Sequence, residues 1–254
     1  MTAALVLIGG FGALVGGIEI AFFYAEHGDV PPWLLSLFPT AGLVFLGAGL
    51  EAWRRRPSNR TGAIMVVGAA TWFAAALVNT TPVVLVCVGI VLATTPLAVV
   101  VWLLHAFPSG RLRSRLSRLT VVAGFAVCLT LQVPLYLLDP AASPDGVMAI
   151  ADRAGLVHAA TWLQRGAGLA VMFVTALMLI GRLRSASPAK RRVLLPLYLY
   201  GTLVVLAVPF GPIVGPPLDL SIELVVTLQL VSLALVPIAF TSQHRRGEGD
   251  GDER

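Results

Sequence analysis

Charge is what this sequence lacks most. Only 12% of its 254 residues are Asp, Glu, Lys or Arg, against roughly 25% in a soluble domain. Mean hydropathy is +0.86, and 57% of residues are hydrophobic. A water-exposed globule cannot be covered with so few polar side chains, so lipid must cover most of the outside. Lysine occurs once, at Lys190 in a polar connector, which excludes a retinal-type Schiff base inside a helix. The two cysteines, Cys87 and Cys128, fall within apolar runs. They read as small buried residues and not as a disulfide framework. The four histidines never face one another within spans, as a b-type haem would need, and Ser36, Ser221 and Ser232 have no histidine at their depth for a serine protease. No Walker A, His-Glu-x-x-His or kinase ATP-site motif occurs. No cofactor, metal site or catalytic residue is therefore expected, and the chain reads as a non-enzyme.

What is present is a rhythm. Eight segments reach the roughly 20 apolar residues that a span requires, at about 3–24, 33–53, 62–80, 83–106, 119–138, 159–181, 194–212 and 219–241. Arginine clusters follow the second, fourth, sixth and eighth: Arg54, Arg55, Arg56 and Arg60; Arg111, Arg113, Arg115 and Arg118; Arg182, Arg184, Lys190, Arg191 and Arg192; Arg245, Arg246 and Arg254. Of the 18 basic residues, only Arg153 and Arg165 lie elsewhere. Basic residues beside spans stay cytoplasmic. The expectation is an all-α polytopic bundle of about eight transmembrane helices in the plasma membrane, with both termini cytoplasmic. It forms one domain over 1–241, followed by a short polar tail, 242–254, expected to be disordered. The pI near 9.9 is explained by these span-end arginines, so nucleic acid is not an expected partner. The lipid bilayer is, and a homodimer or a partner signalling protein is compatible with the pattern.

Each basic connector between spans carries Pro-x-x-Arg: Pro57-Ser58-Asn59-Arg60, Pro108-Ser109-Gly110-Arg111 and Pro188-Ala189-Lys190-Arg191. A proline suits the first turn of a following helix, and the arginine would then reach lipid phosphates. The repetition hints at a duplicated two-helix hairpin. Gly12 and Gly16 make a Gly-x-x-x-Gly face that serves either packing within the chain or a dimer seam.

Charges within spans are costly and are functional candidates. Glu19, Arg165 and Glu223 fall at similar depth in the outer half, where Arg165 is expected to pair with one or both carboxylates, with Gln164 and Gln229 extending the network. Such a cluster reads as a structural ion pair, as a polar pocket for a ligand, or as part of a proton or ion path. Glu51 reads as a surface partner of Arg54 and Arg55. The deeper polar residues, Thr94, Thr95 and Gln132, are a thin basis for a transport path.

The connectors also resemble a known family as a set. Arg55-Arg56-Pro57-Ser58-Asn59-Arg60-Thr61-Gly62 followed by Gly68 and Trp72-Phe73, then His105-Ala106-Phe107-Pro108-Ser109-Gly110-Arg111-Leu112, then Ala186-Ser187-Pro188-Ala189-Lys190-Arg191-Arg192-Val193-Leu194 resemble the inner loops of the N-terminal membrane region of actinobacterial sensor histidine kinases. The resemblance runs over about 60–240. It implies a sensor that relays an envelope or small-ligand signal by helix rearrangement. The family's phospho-acceptor and ATPase domains have no counterpart in these residues, so the resemblance implies sensing and not kinase activity. A small transporter or an accessory membrane protein is the alternative.

Overall fold

A computed structural model describes residues 2–25, 30–187, 191, 195–204 and 218–249. All its regular structure is helical among those residues. In chain order the helices are α1 (Thr2–Ala25), the single turn α2 (Pro32–Leu35), α3 (Leu37–Arg55), α4 (Thr61–Ala76), α5 (Val83–Leu92), α6 (Thr95–Ala106), α7 (Arg115–Thr130), α8 (Val133–Leu138), α9 (Ala154–Arg184), α10 (Leu195–Val204) and α11 (Ile222–Gly249). Among the described residues, seven helical segments are long and apolar enough to cross a membrane: Ala3–Ala25, Pro32–Arg55, Thr61–Asn79, Val83–Ala106, Arg115–Leu138, Ala154–Arg184 and Glu223–Phe240. They coincide with seven of the eight expected spans. The eighth is seen as the apolar helix α10, because the rest of 194–212 lies outside the described residues. The molecule is a helical bundle of multi-pass membrane type. Its outer surface is apolar: Leu7, Phe11, Phe173 and Leu199 are all exposed.

Small residues set the packing. α1 buries one face, Gly12, Gly16, Glu19 and Phe23. A Cβ on Gly12 would lie 2.5 Å from Leu46, and one on Gly16 would lie 3.0 Å from Leu43 and Phe73. The Gly-x-x-x-Gly face is thus used within the chain, against α3 and α4. α3 and α4 form an antiparallel hairpin that packs closely at Gly49, Trp53 and Gly62. A Cβ on Gly62 would meet Trp53 N at 2.5 Å and Gly49 O at 2.7 Å, so the backbones touch as in small-residue membrane interfaces. The core beside them contains Phe45, Trp72, Val99, Leu103 and Leu104, all buried. α11 closes over it, with Phe240 edge-on to Phe107 at 5.1 Å.

Two spans are broken midway, and the breaks meet. α5 ends at Leu92 and α6 restarts at Thr95-Pro96; α7 ends at Thr130 and α8 restarts at Val133-Pro134. Proline removes an N–H at each restart. Gln132 bridges the gaps: its Nε2 donates to Ile90 O (2.9 Å), and the Thr94 hydroxyl donates to its Oε1 (2.9 Å). Thr95 donates to Leu92 O (2.6 Å). Leu92 O and Ile90 O, at the α5–α6 break, thus receive side-chain donors from within the protein.

The basic connectors gather at one end. Asn59 of the first bonds to Pro108 of the second, Arg182 reaches the carbonyls at the end of α6, and Phe240 near the close of the last span touches Phe107. Gly9 of α1 faces Leu50 near the same end. α11 continues to Gly249, into the stretch expected to be a disordered tail. Glutamine and arginine in Ser242-Gln243-His244-Arg245-Arg246 are good helix formers, which carries the helix past the apolar run.

Candidate functional site: an arginine cavity at one end and a loop platform at the other

Arg165 lies in the N-terminal half of α9, away from the basic connectors. It stacks on its own helix neighbour, with its guanidinium carbon 5.8 Å from the centre of the Trp162 ring. Trp162 Nε1 donates in turn to His158 Nε2 (2.9 Å). His158, Trp162 and Arg165 thus form a ladder at helical spacing along one face. Two cavities share Arg165. One, about 460 Å³, lies at the end away from the basic connectors and is also lined by Asp139, Asp152 and His158. The other, about 170 Å³, runs down between α6, α7 and α9 past Gln164 to Val101, Val127 and Met172. Its walls are mostly apolar. Arg165 is the point at which the charged chamber becomes an apolar one.

The expected pairing with Glu19 and Glu223 does not form. Among the described residues, the ion pairs are those of Glu51 with Arg54 (3.0 Å) and Arg55 (2.5 Å), as the sequence suggested for Glu51. Glu19 lies on the glycine face of α1, which turns it towards α3 and α4. It is 7% exposed, and its Oε2 has no hydrogen-bond partner. Glu223 is exposed in the first turn of α11. In the sequence, depth alone groups the three charges. Depth is one coordinate of a bundle, and the order of helices in the membrane plane is another. Gln164, the chain neighbour of Arg165, lines the apolar cavity with it.

At the other end, the sequence motifs converge. Asn59 is their keystone. Its Nδ2 donates to Pro108 O (3.0 Å), while its Oδ1 accepts from Thr61 N–H (3.0 Å) and the Thr61 hydroxyl (2.8 Å). Gly110 fits against this knot with φ +68°, where a Cβ would lie 2.5 Å from Asn59 Oδ1 and 2.6 Å from Arg60 N. A side chain at 110 would both strain the backbone and push the loops apart. Pro57 and Pro108 lie in the turns and not in the first turn of α4 or α7. Helix capping there belongs to polar side chains instead: Ser114 Oγ accepts from Ser117 N–H (3.0 Å) at the start of α7. Arg56 leads into the first turn, and its carbonyl accepts from Asn59 N–H (3.0 Å).

Arg182, which the sequence marked only as one of a cluster, ties the third basic region to this platform. Its guanidinium donates to His105 O (2.9 Å), Leu104 O (3.4 Å) and Ser117 Oγ (3.0 Å). A cation there satisfies the last carbonyls of α6 and suits the negative end of its dipole. The His105 side chain is buried, with Nε2 3.1 Å from the Thr175 hydroxyl of α9. Arg191 is exposed and helical, while Pro188 and Arg192 lie outside the described residues. A groove of about 810 Å³ opens beside the knot, bordered by Arg60, Arg111 and Arg118. The sequence offered one signal for this convergence, the repeat of Pro-x-x-Arg in successive basic connectors. It gave none for Asn59 as donor and acceptor at once. No group of His, Cys, Asp and Glu among the described residues could hold a metal ion.

No family model matches the chain, and neither a curated protein nor a solved structure is found to be similar to it.

Proposed function

We propose that this chain is a receptor-like membrane module. It takes an amphiphilic ligand at Arg165 from the outer side and relays occupancy by helix rearrangement to the arginine-bearing loop platform, which faces the cytoplasm of a plasma membrane. The observation that carries this reading is the position of Arg165, a cation with no carboxylate partner among the described residues, at the junction of a charged outer chamber and an apolar one. That junction suits a molecule with an anionic group for the guanidinium and a short apolar part for the lower cavity. Asp139 and Asp152 in the outer chamber disfavour a multiply charged anion and leave room for a zwitterionic head. The likeness of the connectors to those of sensor histidine kinases agrees with a sensing role. The platform is where a second copy or a signalling partner would read the change.

Transport is the weaker reading. A permease needs unsatisfied polar groups along a midplane path. Thr94, Thr95 and Gln132, the deepest polar candidates, bond to one another and to backbone carbonyls.

The test uses a dansyl-tagged medium-chain fatty acid as probe, titrated into the full chain in detergent. Saturable, blue-shifted emission is expected with the native protein and with Arg153→Gln. Arg165→Gln should weaken binding by roughly tenfold to a hundredfold, the worth of one hydrogen bond to a charged group. Equal binding by Arg165→Gln defeats the reading.

A further inference from the structure

The groove at the platform has chemistry that the receptor reading does not use. Three guanidiniums, of Arg60, Arg111 and Arg118, border one cavity of about 810 Å³, and no carboxylate lines it among the described residues. The nearest acidic side chain in sequence, Glu51, is already engaged by Arg54 and Arg55. The three arginines come from different places: the turn before α4, the loop after α6 and the first turns of α7. The knot of Asn59 with Pro108, and the seat of Gly110 on Arg60 N, hold the backbone at Arg60 close to that at Arg111, and both side chains line the one groove. Like charges fixed together in this way call for an anion.

The other wall is apolar. Ile64, Val67 and Trp102 line the groove below the arginines, and Val67 is 44% exposed on the lipid-facing side of α4. Trp53 stands at the rim, the level at which indoles mark a membrane interface. The cavity is thus charged at the connector end and apolar further along the helices.

We propose that this groove is a binding site for an anionic glycerophospholipid of the arginine-side leaflet. Its phosphate is held by Arg60, Arg111 and Arg118, and an acyl chain lies along Val67 and Trp102. Guanidiniums grip phosphate oxygens in a bidentate manner, and basic pockets between membrane helices favour anionic headgroups. A free phosphate would use the arginines but leave the apolar wall empty.

The experiment is native mass spectrometry of the full chain taken from vesicles of phosphatidylcholine, with and without phosphatidylglycerol. One retained phosphatidylglycerol is expected. Replacing all three, Arg60→Gln, Arg111→Gln and Arg118→Gln, should lower retention roughly a hundredfold, at about fivefold per arginine near the surface. Arg113→Gln with Arg115→Gln should leave it unchanged. Because the triple variant can fail to fold, Val67→Trp provides a second arm. It fills the apolar wall, keeps every charge, and is expected to lower retention as well. Equal retention of phosphatidylcholine, or full retention in either groove variant, overturns the proposal. Displacement of the lipid by millimolar inorganic phosphate also overturns it, since the site would then be one for free phosphate.

Discussion

The Asn59 side chain and the Pro108 carbonyl, 49 residues apart, are joined by a 3.0 Å hydrogen bond. That single contact locks the turn between α3 and α4 to the turn between α6 and α7. It makes two basic connectors one platform and sets the arginines of both around one groove.

Asn59→Ala removes one donor and one acceptor that together make three bonds. The site borders water, so the net loss is expected at about 1–3 kcal/mol. The apparent Tm in detergent, followed by circular dichroism, should fall. Asn59→Asp keeps the acceptor for Thr61 but loses the donor to Pro108, and should fall between the two.

Gly110 and Gly146 both have positive φ, +68° and +70°, but only Gly110 is crowded. Gly146→Ala meets nothing within 4 Å, so it should cost only the left-handed backbone term, about 1–2 kcal/mol. Gly110→Ala adds a collision with Asn59 and Arg60, worth about 1–3 kcal/mol more. Paired melting curves measure the difference, and equal losses would mean that the knot yields.

Arg182→Met should destabilise the chain by about 2–3 kcal/mol, because it strips charge-assisted bonds from the His105 carbonyl and Ser117. Ser117→Ala removes one of those contacts and should cost less. Apparent Tm again reads the order.

Glu19→Leu is expected to raise stability by about 1–3 kcal/mol. Its carboxylate is buried with one oxygen unpartnered, and a buried polar group without a hydrogen bond costs that much. A fall in Tm would show that Glu19 has a partner when the protein is in a bilayer.

The spans were legible because lipid imposes a strict length and polarity on each. Seven of them lie where the apolar runs lie, and α9 merely extends further at both ends, from Ala154 to Arg184. The common end of the basic connectors was legible from the alternation of arginines. The Glu19, Arg165 and Glu223 group was not, because hydropathy reports depth and says nothing of which helices are neighbours. The glycine face of α1, which decides that Glu19 turns towards α3, was visible at Gly12 and Gly16, but its partner was not. The helix breaks at Thr94 and Gln132 could be expected from Pro96 and Pro134. Their joining by one glutamine could not, since it depends on the contact between α5 and α7.

The central claim is that occupancy at Arg165 is felt at the loop platform. With Cys87 and Cys128 replaced by alanine, spin labels at Ser58→Cys and Ser185→Cys report the distance across that platform by pulsed electron resonance. Adding the fatty-acid probe to the reconstituted protein is expected to shift the distance distribution, and Arg165→Gln should abolish the shift. A distribution that stays unchanged while the probe is bound would contradict the account.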